Sequence, residues 1–169
     1  MTSIQRLPVA SKLGLLAALG SGALLGGAYY FQYVVGLPPC DLCYWQRWPH
    51  MVAIAAGLAA LASFARPRLA LVFLCVAIAA LVATAGVGVF HAGVEYGFWP
   101  GPQACSGSIP RGLSAEELRR YLFNARMVRC DQVAWSLWGI SMAGWNALLS
   151  AALAFVLALG AAGWVRSRQ

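Results

Sequence analysis

Two cysteines separated by two residues, Cys40 and Cys43, are the side chains of this sequence best suited to chemistry. The C-x-x-C spacing is that of dithiol/disulfide redox centres, because it lets two sulfurs meet at the start of a helix. Arg47 follows Cys43 by four residues and shares its helical face, where its positive charge stabilises a thiolate and can hydrogen-bond a ligand carbonyl. The group predicts an electron donor, with a structural disulfide or half of a zinc site as the alternatives.

A second pair of cysteines, Cys105 and Cys130, is much more widely spaced. A disulfide that closes such a loop is usually structural in secreted proteins, but the glycines and prolines of this loop also allow an exchangeable bridge. The four sulfurs together could also hold zinc, although a second short knuckle is missing. The pairing of the four stays open at this point. We expect Cys75, alone within an apolar run, to be an inert buried thiol.

His91 and Glu95 are the other candidates for chemistry, because their spacing of four residues places them on one face if the helix continues that far. We interpret them as a proton route. The alternatives are an interfacial histidine satisfied by water or backbone and a solvated loop carboxylate. His50 and Asn146 are expected to be polar groups that pack between helices.

The composition indicates that membrane-spanning helices position these residues. The chain is 61% hydrophobic and 10% charged, against about 25% charged in soluble domains. We predict a single integral membrane domain over residues 1–169, an all-α bundle of four transmembrane helices, with the first apolar run retained as an anchor. The predicted crossings are residues 13–35, 48–65, 69–90 and 140–165. Ala18, Gly22 and Gly26 form a small-residue face for helix packing.

Because crossings alternate sides, loops 36–47 and 91–139 share one side of the membrane and carry both cysteine pairs. Lysine and arginine are equally numerous on the two sides, so the positive-inside count does not decide the orientation. We favour termini on the inner side of the membrane and cysteine loops on the outer side. Arginines abut the helix ends on the terminal side, and cysteine pairs suit an oxidising compartment.

The second loop is expected to contain a short amphipathic helix that lies on the membrane surface. Ser114 and Glu117 have the spacing of a capping box, and the residues after them alternate between an apolar and a basic face. Pro49, just inside the second apolar run, leaves the start of the second helix open, because proline removes a helical hydrogen bond.

The stretches "PPCDLCYWQR", "FHAGVEYGFWPGPQACSG" and "ARMVRCDQ", together with the four-crossing layout, resemble the bacterial disulfide bond formation protein B (DsbB) family from about residue 13 to residue 164. The resemblance implies a membrane oxidase that takes electrons from a periplasmic, thioredoxin-fold thiol oxidase of the DsbA type. The electrons would pass through two disulfides to a bound quinone. The implied partners are that oxidase, membrane lipid and the quinone pool, with no nucleic acid and no metal.

The resemblance also implies a role for each paired cysteine. Cys105 would be the sulfur attacked by the reduced partner, and Cys130 would be its loop mate. Cys40 would exchange with Cys130, and Cys43 would contact the quinone ring.

On the same basis Arg47 would hold the quinone, with His91 near it and Glu95 kept as part of the proton route. Ubiquinone is expected ahead of menaquinone, although Asp41 and Leu42 between the cysteines do not specify the quinone type.

Three alternatives remain at this stage. Two are enzymes: a thiol oxidase dedicated to one partner, and a quinone reductase similar to vitamin K epoxide reductase. The third is a membrane scaffold or transporter whose loops are braced by disulfides. A transporter would be favoured by an acid or base at mid-bilayer, and the four predicted crossings have none at their centres.

Overall fold

The computed structural model describes residues 8–102, 114–117, 119 and 128–167, and over these it is mainly helical. The described residues contain four long helices, α1 to α4, with short connections between the first three and a small hairpin just before the last. In chain order the elements are α1 (Val9–Tyr33), α2 (Asp41–Ala62), α3 (Pro67–Glu95), β1 (Ser136–Leu137), β2 (Ile140–Ser141) and α4 (Met142–Arg166). The prediction of a helical membrane protein is confirmed.

Three of the described helices, α1, α3 and α4, are long and apolar enough to cross a membrane. The remaining helix, α2, has 22 residues and is therefore about 33 Å long, which is also sufficient for a crossing. It is less apolar because its first half carries Gln46, Arg47 and His50. The crossing predicted at residues 48–65 therefore stays a prediction.

Prolines and a cap set the start of α2. Pro38 and Pro39 cannot continue a helix, and Cys40 then adopts an extended conformation (φ −85°, ψ 174°) as the N-cap residue. The helix begins at Asp41, seven residues before the predicted crossing, and it continues through Pro49. The open question about Pro49 is thereby answered, since the helix is already established when the chain reaches it.

A close backbone contact joins α1 to α2 at Gly14 and Gly57. A Cβ atom added to Gly57 would lie 2.5 Å from the Gly14 carbonyl oxygen and 2.9 Å from the Ala18 backbone nitrogen. Ala18 therefore packs as predicted. Gly22 and Gly26 do not, because a Cβ atom added at either position would meet nothing within 4 Å. The predicted packing face is wrong for these two glycines, since the contact with α2 lies nearer the N-terminus of α1.

Helix α2 runs antiparallel to α1 along much of its length. Gly57 lies beside Gly14 at one end, and Arg47 hydrogen-bonds Gln32 at the other. Helix α2 also contacts α3, where the Thr84 hydroxyl donates to the Gln46 carbonyl at 3.0 Å. The start of α2 and the end of α3 therefore lie at the same end of the bundle.

A two-stranded hairpin precedes α4 and was not predicted. Leu137 pairs with Ile140, and the two-residue turn between them is formed by Trp138 (φ 54°) and Gly139 (φ 77°). Two consecutive positive φ angles are typical of a tight hairpin turn. Apart from this hairpin the elements of the described residues are helices, and α4 begins at Met142.

Most of the predicted surface helix, and Cys105, lie outside the described residues. The capping box at its start is confirmed. The Glu117 carboxylate accepts from the Ser114 backbone N–H at 2.9 Å and from its hydroxyl at 2.7 Å, while the Glu117 N–H donates to the Ser114 hydroxyl at 3.3 Å. Residues 115–117 and 119 are helical.

We predict that Gly57→Ala destabilises the bundle by about 1–3 kcal/mol, because the new methyl group would overlap the backbone of α1. Thermal unfolding in detergent micelles measures the change. Gly22→Ala is the matched control and should be neutral or stabilising by up to about 1 kcal/mol, since its methyl group meets no atom and alanine favours helix. Equal effects of the two substitutions would contradict the packing described here.

Candidate functional site

The two sulfurs of the C-x-x-C motif meet at the N-terminus of α2. The Cys40 sulfur accepts a hydrogen bond from the Cys43 backbone N–H at 3.3 Å and so caps the helix. The Cys40 and Cys43 sulfurs are 2.9 Å apart, and both cysteines are free. The geometry predicted from the spacing is therefore present, and both sulfurs lie where the positive end of the helix dipole stabilises a thiolate.

The two sulfurs differ in acidity. The pKa of Cys43 lies below that of a free thiol because the Cys40 thiol donates a hydrogen bond to it, aided by a backbone hydrogen bond and the charge of Arg47, although burial acts in the opposite direction. The pKa of Cys40 is raised, because its proton is held by Cys43 and because it is buried. When the reduced pair loses a proton, the negative charge is therefore favoured on Cys43.

Arg47 is buried and held on three sides. Its guanidinium donates to the side-chain oxygen of Gln32, and it lies 5.0 Å from the ring centre of Tyr29 and 5.3 Å from that of Tyr44. Such a charge cannot leave the site easily, because two aromatic faces and a hydrogen bond fix its position. Gln32 was missed in the sequence, where it is one polar residue near the end of an apolar run.

His91 and Glu95 lie on one face near the end of α3, as expected if the helix continued. The His91 Nε2 atom is 3.5 Å from the Cys40 sulfur and 3.8 Å from a Glu95 carboxylate oxygen. His91 is 2% exposed, and the second Glu95 oxygen is buried with no hydrogen-bond partner among the described residues. The alternative of a solvated loop carboxylate is therefore wrong, because helix α3 carries Glu95 into the interior.

Cys130 joins the same end of the bundle. It is fully buried and disulfide-bonded, and it belongs to one buried cluster with Cys40, Leu42 and Val94. Three of the four predicted redox cysteines are thus brought together. Cys75 is elsewhere and exposed, which corrects the expectation of a buried thiol: it lies on the outer face of α3.

A buried array of hydrogen-bonding side chains continues from this centre into the bundle. Hydrogen bonds join His50 to Asn146, Asn146 to Gln46, Gln46 to His91, and His91 to the Cys40 sulfur. We call these five residues the amide array. His50 and Asn146 are polar groups that pack between helices, as predicted, and the structure shows in addition that they hydrogen-bond each other. Gln46 was missed, although its position one turn after Leu42 places it on the buried face of α2.

A largely apolar cavity of about 420 Å³ opens beside the cysteines. Its volume is within the usual range of about 300–1,000 Å³ for small-molecule sites. The polar groups on its wall include the sulfur-bearing residue Cys43, the cation Arg47 and the acid Glu95. The aromatic and aliphatic side chains around them include Phe31, Leu37, Pro38, Trp135, Trp145 and Leu149.

The zinc alternative can be tested at His91. Cys40, Cys43 and His91 have ligand atoms within 4.8 Å of one another. However, the Gln46 amide donates to His91 Nδ1 at 2.7 Å, so a neutral His91 carries its proton on Nε2, the nitrogen that faces the sulfurs. A metal-binding histidine requires the reverse arrangement, with the bare nitrogen toward the metal.

Fold and site together define a class of protein: a helical membrane protein with a dithiol at the wall of an apolar cavity and a disulfide-bonded cysteine beside it. The family model described as disulfide bond formation protein DsbB matches residues 10–160. The chain belongs to this family, and membership makes it a membrane oxidoreductase of disulfide bond formation.

Several relatives match across most of their length. A disulfide bond formation protein B of Polaromonas naphthalenivorans is 33% identical over 138 residues, which cover 78% of each chain. A disulfide bond formation protein B 2 of Pseudomonas savastanoi pv. phaseolicola is 30% identical, over 83% of this chain and 82% of the relative. An uncharacterised protein of Rickettsia prowazekii is 28% identical, over 80% and 78%. No solved structure matches the chain.

At neutral pH we predict that iodoacetamide alkylates Cys43 before Cys40, because the lowered pKa of Cys43 places the thiolate there. Mass spectrometry of timed, acid-quenched samples of the reduced protein resolves the two sites. Arg47→Gln should slow alkylation of Cys43 by about tenfold, since an opposite charge lowers a thiol pKa by about one unit or more. Arg68→Gln, at the other end of the bundle, is the charge control. Faster reaction at Cys40 would contradict the assignment.

Proposed function

We propose that the protein reoxidises a periplasmic thiol oxidase of the DsbA type and passes the two electrons to a quinone through its two cysteine pairs. One observation supports this most directly. Cys43, whose pKa is the lower of the pair, lines the apolar cavity beside Arg47, while its neighbour Cys40 shares a buried cluster with the disulfide-bonded Cys130. The pair therefore has a lipid-like cavity on one side and a second disulfide on the other.

The proposed exchange begins at the loop disulfide. Cys105 is the proposed partner of Cys130, because Cys40, Cys43 and Cys75 are the other cysteines of the sequence and are free. A partner thiolate would attack Cys105 and release the Cys130 thiolate. This would attack oxidised Cys40, forming a Cys130–Cys40 bridge and leaving the electron pair on Cys43. A second partner thiolate would then release the partner as a disulfide.

A quinone headgroup fits the cavity by chemistry and by size. The wall is mostly apolar and aromatic, and Arg47 offers N–H donors for a carbonyl oxygen. A bound quinone would supply an acceptor for two electrons and two protons. The protein would contribute a thiolate at Cys43, a fixed positive charge at Arg47, and the proton-carrying groups His91 and Glu95.

Ubiquinone is the acceptor we propose, ahead of menaquinone. Among the described residues that line the cavity, none is specific to either ring. The narrower proposal is therefore tested by comparing turnover with short-chain forms of the two quinones.

We further propose a single domain over residues 1–169 with four crossings, cytoplasmic termini and periplasmic loops 36–47 and 91–139 in the inner membrane. The support is the antiparallel course of α2 beside α1. Because Gly57 lies beside Gly14 and Arg47 beside Gln32, α2 spans nearly the same depth as α1, which is apolar enough to cross. The scaffold alternative is disfavoured, since a brace needs neither a free dithiol nor an adjoining cavity.

Turnover is the first test. The purified protein, given a reduced DsbA-type oxidase, should reduce quinone in a stopped-flow experiment. Cys43→Ser should abolish turnover, because a serine hydroxyl forms no disulfide and gives no thiolate. Cys75→Ser is the matched control and should retain full activity, because this exposed thiol is remote from the site. Lack of quinone reduction by the native protein would refute the proposed function. Full activity of Cys43→Ser would refute its assigned role.

The path of α2 gives a second test. In a cysteine-free variant, a new cysteine at Val35, before α2, should react with an impermeant maleimide in intact cells, while one at Ala65, after α2, should react only once the cells are permeabilised. Both side chains are exposed, so their labelling depends on the side of the membrane. Equal labelling of the two in intact cells would contradict a crossing by α2.

A further inference from the structure

The amide array forms a continuous hydrogen-bonded path between three helices. His50 Nε2 is 2.8 Å from Asn146 Oδ1, and Asn146 Nδ2 is 2.7 Å from Gln46 Oε1. Gln46 Nε2 is 2.7 Å from His91 Nδ1, and His91 Nε2 is 3.5 Å from the Cys40 sulfur. The path lies in the bundle interior, where an unpaired polar group is costly, so the direction of each bond can be deduced from its neighbours.

The direction is set first at Gln46. Its Nε2 atom is also 3.3 Å from the Leu42 carbonyl oxygen, which can only accept. The atom at that position must therefore be the nitrogen, and its second hydrogen points to His91 Nδ1 at 2.7 Å. The Gln46 oxygen is left to accept from Asn146 Nδ2.

Asn146 is oriented by independent contacts. Its Nδ2 atom has a second acceptor in the Thr84 hydroxyl at 3.1 Å, and that hydroxyl uses its own proton on the Gln46 carbonyl. The Asn146 oxygen accepts from His50 Nε2 and, at 3.4 Å, from the Ser150 hydroxyl. If the oxygen and nitrogen of the Asn146 amide exchanged places, several of these contacts would join two donors or two acceptors. The orientation is therefore fixed by the network as a whole.

All donors consequently point the same way, from His50 toward the cysteines. His91 must accept at Nδ1, so its N–H is on Nε2 and faces the Cys40 sulfur. Cys40 also accepts from the Cys43 backbone N–H, and its own proton lies toward the Cys43 sulfur 2.9 Å away. The aligned dipoles thus end at the sulfur that lines the cavity.

We infer that Gln46 and Asn146 are positioning residues of the redox centre: they hold His91 with its proton on Nε2, so that the array polarises the Cys40 thiol and keeps the negative charge on Cys43. The purpose that we give to this arrangement rests on the proposed function, whereas the hydrogen-bond geometry does not. Side-chain amides do not readily relay protons, so the array orients the centre rather than conducting protons through it. Aligned hydrogen bonds strengthen one another in a buried site.

Gln46→Glu is the sharpest test, because a carboxylate has almost the same shape and still accepts from Asn146, but it cannot donate to His91. In ¹⁵N-histidine NMR spectra of the reduced native protein, His91 should carry its proton on Nε2 alone. In Gln46→Glu, Nδ1 should become protonated. Asn146→Asp, which removes the donor to Gln46, is the second variant if the first does not fold. Ser150→Ala is the control, since His50 still donates to Asn146.

The second readout is the pH dependence of Cys43 alkylation. Its titratable and charged neighbours are Cys40 and Arg47 on the α2 side and His91 and Glu95 on α3. Gln46→Glu should shift the alkylation profile of Cys43 to higher pH, so that alkylation at a fixed neutral pH becomes slower.

A native His91 protonated on Nδ1, or a Gln46→Glu protein with an unchanged tautomer and alkylation profile, would overturn the inference. Neither measurement uses quinone or the partner oxidase, so a failure of the proposed function would be seen separately, in the turnover assay.

Discussion

The start of helix α2 is the constraint on which the rest of the site depends. Helix α1 ends at Tyr33, Pro38 and Pro39 follow in non-helical backbone, and Cys40 then caps α2 with its own sulfur. Because the cap residue and the third helical residue of a C-x-x-C motif face each other, the Cys43 sulfur is held against its mate at the positive end of the helix. The same turn of helix then fixes the direction of Arg47. Cys43 and Arg47 both line the cavity, so a shift of the helix start by one residue would rotate these two side chains away from it.

Burial of polar groups within an apolar bundle explains the remainder of the site. Arg47, Gln46 and His91 are each less than a tenth exposed, and each has partners on another helix. In such surroundings an unpaired donor or acceptor costs roughly several kcal/mol. The need to pair each of these groups therefore favours one arrangement of the helices. The polar interior of this bundle therefore both joins the helices and sets which atoms carry protons beside the cysteines.

Much of this site could be predicted from local spacing alone. The C-x-x-C pair, Arg47 at the fourth position after Cys43, and the shared face of His91 and Glu95 all follow from helical periodicity. Family resemblance added the assignment of roles, and the family is confirmed over residues 10–160. The roles of individual residues remain predictions.

The features that were missed depend on how helices face one another, which periodicity does not determine. Gln46 and Asn146 lie on different helices, and neither is distinctive until α4 is placed against α2. Likewise Gly14 packs closely while Gly22 does not, although both are small residues of one apolar run. The hairpin at Trp138 escaped prediction because a tryptophan with positive φ is uncommon.

The central claim is that the dithiol at the start of α2 delivers two electrons to a quinone. The most direct measurement is anaerobic: the protein is fully reduced, freed of reductant and given two equivalents of a short-chain ubiquinone, one for each cysteine pair, without any partner. It is then acid-quenched, alkylated and analysed by mass spectrometry. The account predicts that Cys40 and Cys43 lose their reactivity together as hydroquinone forms, while Cys75 stays alkylatable. Reactive thiols persisting at both Cys40 and Cys43 after quinone addition would contradict it.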